Sequence, residues 1–140
     1  MILIGVGANI NSPFGTPRET LSHLPQLLAT HGITVIQIAP LYDNAAWPDP
    51  SDPPFVNTVM QIETTLPPHD LLTALLNIER QCGRIRSHKN APRPLDLDIL
   101  DYNGLRINDD TLTLPHPHML TRDFVMVPLK AIAGYNGLNQ

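Results

Sequence analysis

The fold class that this sequence predicts is an α+β sandwich, with an antiparallel sheet and helices packed on one of its faces. Three observations predict it. Stretches with strand character at 2–8, 33–42, 55–64 and 95–102 are interleaved with two stretches of helical periodicity at 17–31 and 67–83. Their order is strand, helix, strand, strand, helix, strand, the βαββαβ order of a ferredoxin-like sandwich. A chain of 140 residues with 42% hydrophobic and 16% charged content can bury one real core, which excludes a disordered chain and makes a single domain over 1–140 the expectation.

Each element has its own signal. "ILIGVGA" (2–8) is apolar and short, and reads as a buried first strand ahead of the turn-rich "NINSPFGTP". Leu21, Leu24, Leu27 and Leu28 share one face of a helix over 17–31, and Pro25 inside it predicts a kink or a late start. "ITVIQIAPLY" (33–42) is β-branched and apolar, a strand, and the proline- and aspartate-rich 43–54 is a loop. "FVNTVMQIET" alternates as a strand. In 67–83, prolines open a helix, Leu71, Leu72, Leu75, Leu76 and Ile78 recur at helical spacing, and Gly83 stops it. A polar, basic loop over 84–94 leads into the strand "LDLDILDY" (95–102), and Asn103-Gly104 is a hairpin turn signal. A helix over 120–133, bent near Pro128, closes the chain.

Charge and composition narrow the function classes. A net charge of −4 argues against a general nucleic-acid coat, although it leaves room for a local anion site. Cys82 is the one cysteine, which excludes an intrachain disulfide and fits a reducing compartment. No stretch approaches the ~20 apolar residues of a membrane span, and the opening lacks a signal-peptide pattern, so a cytoplasmic location is expected. A P-loop is absent, Ile10 stands where a dinucleotide fingerprint needs its third glycine, and 96–107 fails as an EF-hand loop.

The chemistry concentrates in "RPLDLDIL" (93–100). On a strand, Asp96 and Asp98 share one face and lie roughly 6–7 Å apart, while Leu95, Leu97 and Ile99 take the other. Such a pair is either a solvated strand face or a seat for hard cations such as Mg²⁺, completed by waters and phosphates. Four of the nine Lys and Arg residues, Arg84, Arg86, Lys89 and Arg93, lie on the preceding loop with His88. They either balance the aspartates in solution or grip phosphate beside a metal. Downstream, His116, His118 and Arg122 in "LPHPHMLTRDF" are phosphate donors or surface residues, and no other His or Cys cluster completes a transition-metal site.

Together these stretches carry a resemblance. "GANINSP", "PLY", "PPFVN", "IERQCGRIR", "PRPLDLDIL" and "LTLPHPHMLTRDFVMVPL" resemble the 6-hydroxymethyl-7,8-dihydropterin pyrophosphokinases of folate biosynthesis over nearly the whole length. The resemblance implies a ferredoxin-like monomer that uses two Mg²⁺ ions and ATP. It implies transfer of pyrophosphate from ATP to the pterin's hydroxymethyl oxygen, with AMP leaving. Asp96 and Asp98 match the family's magnesium ligands. Arg84, Arg86 and Arg93 match phosphate contacts, with Arg84 and Arg93 counted as catalytic alongside the aspartates. Glu79, His116 and Arg122, with Arg86, match the ATP side. Phe55 and Phe124 match the aromatics that sandwich the pterin, Asn57 the amide on its edge, and Asn44, Ala45 and Trp47 the loop around it.

Read by themselves, Phe55 and Phe124 are core residues sooner than stacking partners, Asn57 is an amide that must find partners, and Glu79 is a partner for Arg80 or a loop arginine. The chain also departs from the family pattern. Asn44-Ala45 stand where Thr-Pro is usual, and the arginine-rich loop is one residue short without its tryptophan. Thr111 replaces an arginine, Leu76 a glutamine, and the end is short beside longer members. The carboxylate pair and central arginines remain, which implies activity with loops 43–54 and 84–94 closing over small-molecule substrates. A metal-dependent phosphodiesterase and a non-catalytic nucleotide sensor are the rival readings. Neither nucleic acid nor membrane is expected as a partner.

Overall fold

The computed structural model describes residues 1–46, 49–84 and 91–135. β1 (Ile2–Ala8) leads through α1 (Pro17–Ala29) to β2 (Thr34–Ile38), β3 (Tyr42–Asn44) and β4 (Phe55–Glu63). α2 (Pro68–Gln81) then crosses to β5 (Asp96–Tyr102), followed by β6 (Ile107–Asn108), β7 (Thr113–Leu114), a 3₁₀ turn at Met119–Thr121 and α3 (Asp123–Leu129). The main sheet runs β2-β4-β1-β5, every neighbouring pair antiparallel, with β3 also along β4. Each long helix thus carries the chain past one intervening strand, giving two interleaved βαβ units and the ferredoxin-like α+β sandwich.

Alternation along the strands divides the apolar residues between two faces. Ile2, Ile4, Val6, Met60, Ile62, Leu97 and Ile99 meet Leu21, Leu24 and Leu28 of α1 and Leu71, Leu75 and Ile78 of α2. On the opposite face Leu3, Val59 and Leu100 pack with Met119, Val125, Leu129 and Ile132. The C-terminal helix therefore covers only part of that second face. What it leaves open becomes the site.

Several boundaries differ from the sequence expectation. α1 starts at Pro17 and continues through Pro25, so the late-start alternative fails. Thr16 and Glu19 close a reciprocal capping box at its N-terminus, and the buried leucines on both sides of Pro25 offset the lost backbone bond. The expected strand 33–42 is interrupted after Ala39, whose N–H still reaches the Val59 carbonyl at 3.0 Å. Pro40 has no N–H to offer, and pairing resumes at Tyr42–Asn44. Asp43 and Asn44, expected in a loop, are therefore strand residues. Register on β4 and the two hydrogen bonds from Arg18 to Asp43, at 2.8 and 3.0 Å, outweigh their poor strand propensity.

Asn103 (φ 53°) and Gly104 (φ 74°) do make the expected turn, with Leu105 N–H bonded to Tyr102 O at 2.9 Å. The strand that follows the turn does not pair with β5, however. The hairpin is β6 with β7, whose turn is capped by Asp109 accepting from the Thr111 and Leu112 amides. The C-terminal helix is also shorter than 120–133, because Arg122 adopts an extended conformation (φ −111°, ψ 114°) and separates the 3₁₀ turn from α3. Among the described residues no helix is long and apolar enough to cross a membrane.

Candidate active site

Register places the central residues. On the face not covered by α1 and α2, Gly7 lies opposite Asp96 on one side and Asn57 on the other, and Gly5 lies opposite Asp98 and Val59. A floor without side chains thus runs between a carboxylate pair and an amide. A one-residue irregularity between Leu3 and Ile4 then lets β5 return Leu100 to the second core and Tyr102 to the first.

Above this floor is a cavity of about 500 Å³. Asp96, Asp98, Arg93, His116 and Arg122 line it, as do Phe55, Asn57, Phe124, Asn44 and Ala45. These ten of the residues singled out in the sequence therefore share one concavity, although they come from four separate segments. Phe55 is half-buried and belongs to neither core. Phe124 packs partly against the second core while also lining the cavity, with the Arg122 guanidinium 5.6 Å from its ring centroid.

Asp96 gathers the arginines. Arg84 Nη1 donates to Asp96 Oδ1 at 2.7 Å, and Arg93 Nη1 stands 3.2 Å from Asp96 Oδ2. The same Arg84 nitrogen is 2.9 Å from Glu79 Oε2, which also accepts the Leu97 N–H at 2.8 Å. Glu79 and Arg84 thus sit beneath the carboxylate pair rather than among the cavity-lining residues. Arg80, the other partner considered for Glu79, donates to Asn77 instead. Arg86 and Trp47 lie outside the described residues, as do His88 and Lys89.

Burial, reinforced by the charges of Asp96 and Glu79, pushes the Asp98 carboxyl up to about 7, against the pull of Arg122 and Arg84. Burial and the neighbouring Arg122 and His118 hold the His116 imidazole below its ordinary value. The His118 N–H donates to His116 Nδ1 at 3.2 Å, so a neutral His116 carries its proton on Nε2.

The donor set at β5 fits a hard divalent cation. It consists of carboxylate oxygens, and one of them, in Asp98, is buried at a cost in free energy that a positive charge would remove. Among the described residues no group of three or more His, Cys, Asp and Glu assembles an all-protein metal site.

Sequence reasoning missed three residues. Gly5 and Gly7 read as part of a buried strand, yet a Cβ on Gly7 would stand 2.7 Å from Asn57 Oδ1. A G-x-G inside a strand was the available signal for close approach. Asn9 is the third. Its side chain accepts the Arg93 N–H at 2.7 Å and donates to Pro53 O at 3.0 Å, while its own N–H reaches Arg93 O at 3.1 Å. This buried amide ties the end of β1 to the stretch just before β4 and to the one just before β5.

Comparison with known proteins agrees with this geometry. The family model described as 7,8-dihydro-6-hydroxymethylpterin-pyrophosphokinase matches residues 3–134. The chain is 38% identical over 130 residues to a 2-amino-4-hydroxy-6-hydroxymethyldihydropteridine pyrophosphokinase of Methylorubrum extorquens, covering 93% of this chain and 80% of the relative. It is 39% identical over 130 residues to the protein of the same name from Haemophilus influenzae, covering 93% and 79%. It is also 36% identical over 133 residues to the mitochondrial folate synthesis bifunctional protein of Pisum sativum, covering 95% of this chain but 25% of that longer one. A match that runs through both the strand bearing the carboxylate pair and the segments lining the cavity shows that this chain belongs to the 7,8-dihydro-6-hydroxymethylpterin-pyrophosphokinase family.

Proposed function

We propose that this chain transfers the terminal pyrophosphoryl group of ATP to the hydroxymethyl oxygen of 6-hydroxymethyl-7,8-dihydropterin and releases AMP. The observation that carries the reading is the division of one cavity into two chemistries. Asp96, Asp98, Arg93, His116 and Arg122 form a charged side, while Phe55, Asn57 and Phe124 offer a flat ring apolar contact and one fixed amide. A phosphodiesterase would use the first side and leave the second without a task.

Transfer from ATP demands positioning and charge neutralisation more than covalent work by the protein. Asp96 and Asp98 would hold Mg²⁺, which when bound supplies positive charge to the phosphate oxygens. Arg93 and Arg122 reach the same cavity and would balance the remaining charge as the hydroxymethyl oxygen gives up its proton to solvent, the new O–P bond forms and the α–β bridging oxygen departs with AMP. Arg84 keeps Asp96 in place from below. Phe55 and Phe124 would seat the ring and Asn57 would orient it, which brings the hydroxymethyl oxygen towards the charged side.

The test is an assay of nucleotide products with and without the pterin. AMP and a pyrophosphorylated pterin, both dependent on Mg²⁺ and on the pterin, are the expected products. ADP formed regardless of the pterin would overturn the proposal. Binding of ATP without turnover would favour a sensor.

A further inference from the structure

The ring side of the cavity contains a directed chain of amides. Asn44 Nδ2 donates to the Ala45 carbonyl at 3.2 Å, which leaves Asn44 Oδ1 as an acceptor. Asn57 Nδ2 donates to that oxygen. The Asn57 carbonyl oxygen is consequently turned over Gly7, where the missing side chain leaves room for it. Every link has a donor facing an acceptor, and the chain ends in the cavity on an acceptor.

We propose that Asn44 is a positioning residue that fixes the amide of Asn57 with its oxygen towards the ring pocket, so that the site selects rings presenting N–H donors on that edge. The inference rests on the ring-binding role proposed above and adds the residue that sets its hydrogen-bond polarity. If the Asn57 amide turned over, its oxygen would face Asn44 Oδ1, two acceptors without a proton between them. Asn57 is 5% exposed, so water cannot repair that mismatch. Asn44 is itself held in place, because β3 pairs it with Phe55 and the neighbouring Asp43 is bonded twice to Arg18. A pterin edge, with its exocyclic amine and ring N–H, is complementary to this acceptor. A ring offering only acceptors there meets oxygen against oxygen or nitrogen. Discrimination of this kind, where a buried polar group is left unpaired, is stronger than shape alone provides.

The experiment compares the wild type, Asn44→Ala and Asn44→Asp. Each is titrated by fluorescence with a pterin and with a 2,4-dialkoxypteridine, which has only acceptors on that edge, and assayed for KM towards ring and ATP. The wild type is expected to prefer the pterin. Asn44→Ala raises KM for the ring about tenfold, the loss of one oriented hydrogen bond. It leaves KM for ATP unchanged and narrows the preference between the two rings. Asn44→Asp keeps an acceptor opposite Asn57 and restores the preference. An unchanged ring preference in Asn44→Ala overturns the inference, as does an equal loss towards ring and ATP in both variants. Should Asn44→Ala fail to fold, equal wild-type affinity for the two rings overturns it as well. A wild type that binds neither ring refutes the proposed function itself, a result distinct from these.

Discussion

One nitrogen of Arg84, Nη1, stands between two carboxylates, 2.7 Å from Asp96 Oδ1 and 2.9 Å from Glu79 Oε2. The contact joins the C-terminal end of α2 to the first residue of β5, and it holds a cavity carboxylate from beneath. Glu79 is nearly inaccessible and also receives the Leu97 amide, so its removal takes from the Arg84 guanidinium one of its two carboxylates and leaves a backbone donor without its acceptor. Glu79→Ala is expected to cost roughly 3 kcal/mol of folding stability, the range for truncating one partner of a buried ion pair. A urea transition with unchanged slope reads it directly. A loss below about 1 kcal/mol would show that the bridge contributes little to the fold.

Gly7 is where the floor tolerates no side chain. Its φ is ordinary for a strand, so the requirement is steric and comes from Asn57 Oδ1 across the sheet. Gly7→Ala should displace that amide and weaken ring binding about tenfold or more, while the thermal midpoint falls by only a few degrees. Calorimetric titration with the pterin, alongside a melting curve, checks both halves. Wild-type ring affinity in this variant would mean that the Asn57 carbonyl does not contact the ring.

Asn9 joins three segments through one buried amide, and its loss leaves the Arg93 N–H without its acceptor. Asn9→Ala should cost roughly 1–3 kcal/mol, as expected for an unsatisfied buried donor. Asn9→Asp retains the acceptor for Arg93 and gives up only the bond to Pro53, so its chemical midpoint should fall between those of Asn9→Ala and the wild type. Equal midpoints for the two variants would show that the Arg93 contact is not the important one.

Asp109 caps the β6–β7 turn and bonds to His69 at 2.7 Å. Accepting from the Thr111 and Leu112 amides, then from His69, lowers its carboxyl from 3.8 to about 2. A depressed folded value means that the unfolded chain binds the proton more readily. The contribution is therefore complete above about pH 4 and disappears as pH falls through about 2. The thermal midpoint of Asp109→Ala should lie below that of the wild type at pH 6, and the gap should shrink progressively below pH 4. A gap independent of pH would indicate packing rather than charge.

Much of this molecule is legible in the chain itself. The 2-residue alternation of β4 and β5 and the leucine spacing of α1 and α2 are local patterns. They determine which side of each element is apolar before any partner is known. Asp96 and Asp98 face the same way for the same reason, and the basic residues before them are neighbours by sequence. Other features were not local. Asp43 and Asn44 have loop propensity and become a strand only because β4 offers them an edge. The Asn103-Gly104 turn forms, yet the strand after it pairs with β7 and not with β5, although β5 is the edge of the sheet.

The sequence alone determined the order of elements, the two apolar faces and the carboxylate pair, because these follow from short-range periodicity and from chain connectivity. Tertiary structure alone decided that Gly7 lies beneath Asn57, that Asn9 clamps Arg93, and that Glu79 faces Arg84 rather than Arg80. Each of those depends on register between strands or on the approach of a helix end to a strand. A single sequence does not encode such distances in its spacing; they emerge when all the buried faces are satisfied at once.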